Sequence, residues 1–369
     1  MKVLLLSSHT PSLFWFRVDL MKAMQKVGYE VVAAAQMPES DWTKKFENLG
    51  VTYRQIKVHR NGLNPLNDFI TLKDIRKLLK EVQPDKIFVY QAKTIAYGCR
   101  AAADLNIEVY PMVAGLGSVF RGVGLKNAFV RFIMSILYKQ AFKCSKAVFF
   151  QNNDDKQVFI QAGLLKDKQI VMIPGSGVNI EKFVQVELPI IPTFLFIGRL
   201  IRDKGVEEYL EACTKIKAKY MDKVRCLLVG PFDSNPSALK PEDLQIYINK
   251  GIVEYFGEQN DVRPYISQCS VYVLPSYHEG TPKTVLESMA MGRAIITTDA
   301  PGCRETVKNG RNGYLVPIKN VDAVMNKMIN LIEHPDVVKQ MGQESRKMAV
   351  EHFDVEIVND IILKTMGMV

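Results

Sequence analysis

The chain of 369 residues, 47% of them hydrophobic and 24% charged, is long enough for two domains with cores of their own, and its composition excludes a low-complexity or solenoid-repeat protein. No apolar run approaches the roughly 20 residues that a membrane-spanning helix needs, and the opening MKVLLLSSHTP does not read as a signal peptide, because its apolar run ends early and no small-residue cleavage site follows. The formal charge of +9 is unevenly held, with 26 Lys/Arg against 15 Asp/Glu in residues 1–185 and 22 against 24 in the rest, so nucleic acid, an anionic membrane or a phosphorylated substrate are the acidic partners to weigh against a plain solvated basic surface.

Strand-like apolar runs alternate with helical stretches along the whole chain. The first half offers KVLLLSS (2–8), EVVAAA (30–35), KIFVY (86–90), EVYPMV (108–113) and KAVFFQ (146–151). The second offers TFLFIG (193–198), RCLLVG (225–230), IVEYFG (252–257), VYVLPS (271–276) and AIITTD (294–299). Runs apolar almost throughout suit strands covered on both faces. Their alternation with helices such as Val206–Tyr220 predicts a parallel sheet in each half. PGSGVNIEKFVQVELPIIP (174–192) carries the glycine and proline of a linker. The expectation is an α/β protein of two Rossmann-like domains facing a cleft, spanning 1–178 and 190–355, with a C-terminal helix at 356–369 packing back on the first. Ligands of such sheets sit at the carboxyl ends of the strands. The six scattered cysteines, with no C-x-x-C pair, fit reduced thiols in a cytosolic protein.

Arg199 and Lys204 emerge together after the strand TFLFIG, before a helix opening near Gly205. An arginine fork and a lysine point charge suit a diphosphate there, although cationic loops are also common as structure. The stretch YHEGTPKTVLESMAMG (277–292) joins a buried strand to a helix start. Thr281 is expected to cap that helix and Pro282 to open it, with the N–H groups of Lys283 and Thr284 aimed at a phosphate and Gly280 allowing close approach. Glu287 lies five residues past Pro282, roughly 7–8 Å along the helix at about 1.5 Å per residue. A carboxylate there can accept two vicinal hydroxyls, as on a ribose. Glu279, before the helix, is placed for hydroxyls of a group on the distal phosphate. The spacing fits a ligand of the form nucleoside–diphosphate–sugar; a helix acid and a loop acid without function are the alternative. No D-x-D stands near a strand end and no His/Cys/carboxylate cluster has metal spacing, so a leaving diphosphate is expected to rely on Arg199, Lys204 and backbone dipoles. Asp154 and Asp155 read as a helix cap.

These residues give the chain a resemblance to the family-4 retaining glycosyltransferases of GT-B fold. It rests on GRL…DKG with Arg199 and Lys204, and on HEGTPKTVLESMAMGRAIITTDAPGCRETVKNGRNGYLV with its E-x7-E. SLFWFR (12–17), AGLGSVF (114–120) and VGPFDSNPSAL (229–239) are similar to a narrower group that builds capsule, O-antigen and glycan chains on undecaprenyl diphosphate, including N-acetylgalactosaminyltransferases. The resemblance implies a UDP-sugar in the C-terminal domain as substrate, no cofactor, and an acceptor in the N-terminal one. It further implies transfer with retention, Arg199 and Lys204 on the diphosphate, Glu287 on the ribose and Glu279 on the donor sugar. The histidine that many members carry near the reacting sugar is replaced here by Ala114, and the usual glycine pair after the first strand by SHTPSLFWFR. His9, at that first strand end, is the remaining catalytic candidate against a structural role.

The stretch 124–146 places apolar residues at 125, 128, 129, 132, 133, 136 and 137 beside Lys126, Arg131, Lys139, Lys143 and Lys146. A core helix with a basic edge and a surface meeting anionic lipid are both open. Phe14, Trp15, Phe16 and Arg17 join it as acceptor or membrane candidates, since four consecutive helical residues cannot all point inward. A lipid-linked saccharide acceptor, with no nucleic acid partner, would explain the aromatic and basic excess and place the enzyme peripherally at the inner face of the cytoplasmic membrane. A UDP-sugar 2-epimerase of the same fold and a non-catalytic donor-binding subunit are the alternatives.

Overall fold

The structure, a computed structural model, describes residues 1–59, 64–116, 124–166, 169–235 and 237–369, without the side chains of Leu125 and Lys126. It divides into two compact units, Met1–Ser176 with Val355–Val369, and Gly177–Asp354.

The first unit holds β1 (Lys2–Leu6), α1 (Thr10–Phe16), α2 (Val18–Lys26), β2 (Glu30–Ala35), α3 (Glu39–Glu47), β3 (Thr52–Gln55) and α4 (Pro65–Val82). It continues through β4 (Lys86–Tyr90), α5 (Ala92–Ala103), β5 (Glu108–Val113), α6 (Leu125–Lys143), β6 (Val148–Phe150), α7 (Asn153–Gln161) and β7 (Ile170–Met172). The strands form one parallel sheet in the order β3-β2-β1-β4-β5-β6-β7. Side chains alternate across it. Leu4 and Leu6 pack with Ile75, Leu79 and Cys99 on one face, while Val3 and Leu5 pack with Met24, Phe46 and Phe88 on the other. The strands β3 and β7, not foreseen from the sequence, are edges. The run TYRQ of β3 buries Tyr53 and leaves Thr52 and Gln55 in solvent, so it lacks the apolar signature of the central strands.

The second unit holds β8 (Thr193–Ile197), α8 (Val206–Tyr220), β9 (Arg225–Val229), α9 (Pro241–Asn249), β10 (Glu254–Tyr255), α10 (Arg263–Ile266) and β11 (Val271–Leu274). It continues through α11 (Lys283–Ala290), β12 (Ala294–Thr298), β13 (Gly313–Val316), α12 (Val321–Glu333) and α13 (Pro335–His352). Its parallel sheet has the order β10-β9-β8-β11-β12-β13. The run IVEYFG shrinks to the two residues of β10, and GYLV becomes the unforeseen edge strand β13. Val178 and Phe183, within the expected linker, are buried in this unit's core. The last helix, α14 (Val355–Thr365), belongs to the first unit, where Val358, Ile362 and Leu363 are buried with Leu20, Met21 and Met24.

One local expectation is corrected, and the two faces of α6 are assigned. The cap of α7 is Asn152, whose side chain accepts from the Asp155 N–H at 2.7 Å and donates to the Asp155 carboxylate at 3.0 Å; Asp154 and Asp155 lie in the first turn. In α6 the core face is Met134, Tyr138, Ala141 and Phe142, and a second apolar face points outward with Phe129 and Phe132 each 64% exposed and Ile136 44%.

Candidate active site

Four loops at the carboxyl end of the second sheet are tied together by their backbones. After β8 the chain turns through Gly205, whose φ of +73° and contact with Pro275 leave no room for a side chain: a Cβ would stand 2.1 Å from the Pro275 carbonyl oxygen. The Asp203 carbonyl accepts from the Tyr277 N–H at 2.9 Å and from the Ser276 hydroxyl at 3.1 Å. The Glu279 N–H donates to the Pro301 carbonyl at 2.9 Å, and Gly302, with φ +80°, sits so close that a Cβ would come within 2.2 Å of the Glu279 carbonyl oxygen. The loop after β9 is joined on by Leu200 N–H to Pro231 (3.0 Å), Arg202 N–H to Ser237 (2.9 Å) and Leu239 N–H to Leu200 (2.8 Å).

This scaffold brings Lys204 and Glu279 together and sets Arg199 on the same loop as Lys204. Lys204 Nζ lies 2.5 Å from Glu279 Oε1, both side chains mostly buried. Arg199 donates through Nη1 to Asp233 Oδ2 at 2.9 Å, and the other Asp233 oxygen accepts from the Asn235 N–H at 2.8 Å. Asp233 was not foreseen. An aspartate in a Ser/Asn/Pro-rich loop reads as a turn former, and only the fold sets it against Arg199.

The helix start differs from the sequence expectation by one residue. Pro282 is the N-cap, with φ −72° and ψ 111°, and α11 begins at Lys283. The extended ψ turns the Pro282 carbonyl into the helix, where it accepts from the N–H groups of Val285 (3.1 Å) and Leu286 (3.3 Å). Thr281 and Gly280 precede the cap, half-buried in the loop. The Thr284 hydroxyl meets the Tyr272 hydroxyl at 2.6 Å, and Tyr272 also reaches the Ile197 carbonyl at 3.0 Å, so this pair fastens α11 to the end of β8.

Glu287 is 8% exposed, and burial pushes its carboxyl up to about 7. The nearby Lys283 and Lys182 pull it down, and Asp261 pushes it up further. Lys182 and Asp261, missed in the sequence, come from segments about a hundred residues and twenty-five residues upstream in the same unit.

The first unit places its candidates differently from one another. His9 caps α1 at the carboxyl end of β1; its N–H donates to the Ser7 hydroxyl at 3.1 Å and its carbonyl accepts from the Ser12 hydroxyl at 2.7 Å. Phe14 packs edge-on to Trp42 and Phe46 at 5.8 and 5.7 Å between centroids. Arg17 is not a surface residue. It is 3% exposed, with its guanidinium 5.2 Å from the Tyr90 ring centroid and 5.7 Å from that of Phe88, and burial lowers its pKa. The reason is its position between α1 and α2, which turns it inward over β4. Trp15 and Phe16 are exposed, as are Lys139 and Lys143, and Arg131 is half-buried. The Lys126 side chain lies outside the described residues, as do residues 117–120 of AGLGSVF; Ala114 follows β5 and is exposed. Among the described residues no three His, Cys, Asp or Glu side chains gather as a metal site. No described helix is long and apolar enough to cross a membrane.

Residues 191–334 match the family model of glycosyl transferases group 1, and residues 2–152 that of the glycosyl transferase 4-like domain. A Campylobacter jejuni protein, N,N'-diacetylbacillosaminyl-diphospho-undecaprenol alpha-1,3-N-acetylgalactosaminyltransferase, is 31% identical over 99% of this chain and 98% of its own. The chain belongs to this glycosyltransferase family. Also similar is the Escherichia coli UDP-Gal:alpha-D-GlcNAc-diphosphoundecaprenol alpha-1,3-galactosyltransferase, 25% identical over 80% of this chain and 78% of that protein. Among solved structures, Thermosynechococcus elongatus sucrose-phosphate synthase covers 100% of this glycosyltransferase and 98% of its own chain with a TM-score of 0.80 at 18% identity. Anabaena HepE in complex with UDP-glucose covers all of both chains at 0.78 and 17%. The two Rossmann-like sheets of the glycosyltransferase are those of the GT-B fold, as the resemblance implied. A 2-epimerase is set aside, because the family models and the relatives are transferases.

Proposed function

We propose that this glycosyltransferase moves a sugar, an N-acetylhexosamine or a hexose, from a UDP-sugar to a saccharide carried on polyprenyl diphosphate in bacterial surface-glycan assembly. The observation that carries this reading is the near full-length similarity to the Campylobacter transferase named for such an acceptor. The second unit supports it. Arg199 and Lys204 stand where a diphosphate leaves, on loops whose backbones are fixed by the Gly205 and Gly302 contacts, and each is held by a carboxylate that a donor phosphate would replace. Glu287 takes the ribose and Glu279 the donor sugar, once Lys204 turns from Glu279 to phosphate.

Transfer then proceeds with retention and without a metal or cofactor. The bond from the anomeric carbon to the phosphate oxygen breaks, and the acceptor oxygen bonds to the same face. The acceptor's proton passes to the departing phosphate oxygen, whose charge Arg199 and Lys204 hold. His9 gives its backbone to the α1 cap, and its imidazole is the catalytic candidate of the first unit. The outward apolar face of α6, with Phe129, Phe132 and Ile136 beside Lys139 and Lys143, and the exposed Trp15 and Phe16, suit an anionic membrane surface on the cytoplasmic side. The test is a panel of UDP-sugars with a synthetic polyprenyl-diphosphate saccharide in EDTA, with the product's anomeric configuration read by NMR. An α-linked product supports the reading. A β-linked product, or activity that only Mg²⁺ or Mn²⁺ restores, overturns retention or metal independence respectively.

A further inference from the structure

A cavity of about 920 Å³ opens in the first unit at the carboxyl ends of β2 and β3. Gln36, Gln55, Lys57 and His59 line its polar side, and Met37 and Ile70 its apolar side. Its size falls in the range of small-ligand sites, roughly 300–1,000 Å³. The neighbouring carboxylates are engaged by the strand's backbone: Asp74 accepts from the Lys57 N–H at 2.7 Å and Glu39 from the Gln55 N–H at 3.0 Å. The side chains of Lys57 and His59 are exposed. Ile70 continues the cavity onto the first turns of α4, where Leu66 is 75%, Phe69 63% and Ile70 itself 46% exposed. Leu66, Phe69 and Ile70 are i, i+3 and i+4, so they share one face of the helix. The Lys57 ammonium and the His59 imidazole, with Asp74 and Glu39 turned to the backbone, lead into an exposed apolar stripe, an arrangement suited to an anionic head followed by a hydrocarbon chain.

The position agrees. The strand order reverses its direction of progress between β1 and β4, which is the switch point where such sheets bind their principal ligand. The mouth between β2 and β3 lies one to two strands away, roughly 5–10 Å at about 4.8 Å per strand. A ligand whose reacting end is at the switch point would reach this cavity with its next portion.

We propose that the cavity and the Leu66–Phe69–Ile70 stripe hold the isoprenyl diphosphate of the acceptor, with Lys57 and His59 at the diphosphate and the stripe along the first isoprene units. This rests on the lipid-linked acceptor reading above. The probe is farnesyl diphosphate, titrated calorimetrically into the full chain with its donor site saturated by UDP, with inorganic diphosphate in parallel. Farnesyl diphosphate should bind, compete with the lipid-linked acceptor and not with the UDP-sugar. Ile70→Asp should weaken it about tenfold or more and Lys57→Ala severalfold, with UDP affinity unchanged as the sign of an intact fold. Absence of binding, equal binding of inorganic diphosphate, or indifference to both substitutions overturns the assignment. The two levels separate in a transfer assay. If water-soluble saccharides are used as well as lipid-linked ones, the acceptor reading falls and this site with it. If lipid-linked acceptor is preferred but its KM is unchanged in Ile70→Asp, only this site falls.

Discussion

Lys204 and Glu279, 75 residues apart in the chain, form an ion pair at 2.5 Å between the loops that follow β8 and β11. These are the two side chains expected to meet opposite parts of the donor, one the diphosphate and the other the sugar. On the proposed donor reading, the pair is a contact that a bound donor would exchange for its own. Lys204→Ala should remove charge stabilisation of the leaving diphosphate and lower kcat by about a hundredfold or more. Turnover close to wild type would remove Lys204 from the diphosphate.

Asp233 holds Arg199 from the loop after β9, at 2.9 Å. Arg199 is about half exposed, so the pair itself adds little to stability, and its consequence is orientation. Arg199→Ala should cost about a hundredfold in kcat. Asp233→Asn keeps the shape and loses the charge; it should raise the donor KM severalfold with a smaller change in kcat. Steady-state kinetics at varied donor concentration checks this. A kcat loss equal to that of Arg199→Ala would place Asp233 in the chemistry itself.

At Glu287 stability and the proposed ribose contact pull in opposite directions. Its carboxyl is pushed up from 4.5 to about 7 by burial. A raised folded pKa means that the acid form favours the folded state. That stabilisation is full below about pH 4.5 and is lost as pH rises through about 7, which costs up to about 3 kcal/mol at about 1.4 kcal/mol per unit. Glu287→Gln should therefore melt above wild type at pH 8 and close to it at pH 5. Scanning calorimetry at the two pH values reads the difference; an equal shift at both would contradict it. Ribose hydroxyls donating to the carboxylate favour its ionised form, so UDP binding should release a proton between about pH 6 and 7. Titrations in two buffers of different ionisation enthalpy measure that proton.

The fold was legible where the chemistry is one-dimensional. Strands such as TFLFI and VYVL are buried throughout and announce themselves by composition. The edge strand TYRQ does not, because an edge in water has no reason to be apolar. In the candidate site, Arg199, Lys204, Glu279 and Glu287 could be nominated from type and spacing because a helix start and a strand end fix local geometry. The pairing of Lys204 with Glu279, Asp233 behind Arg199, and the nearness of Lys182 and Asp261 to Glu287 were not, since each depends on which loops the sheet order makes neighbours. Arg17 misled for the opposite reason. Its charge predicts a surface, and the turn between α1 and α2 carries it under two aromatic rings.

The exposed face of α6 gives a prediction about surfaces. Phe129, Phe132 and Ile136 with Lys139 and Lys143 should bind anionic vesicles, more weakly as salt rises through the physiological range, where the screening length is about 8 Å. Phe129→Ser with Phe132→Ser should reduce co-sedimentation severalfold and leave UDP affinity alone. Equal partitioning onto neutral and anionic vesicles, or none onto either, would return the face to plain solvent.

Calorimetric titration of UDP and of the UDP-sugar into Glu279→Gln and Glu287→Gln measures whether the donor lies between the two glutamates. Charged hydrogen bonds contribute roughly 1.5–3 kcal/mol, so Glu287→Gln should weaken both ligands about ten- to a hundredfold. Glu279→Gln, which also frees Lys204, should leave UDP binding unchanged or tighter while the UDP-sugar loses its advantage over UDP and transfer falls. An equal loss of UDP affinity in both variants, or no loss in either, would contradict one glutamate per end of the donor.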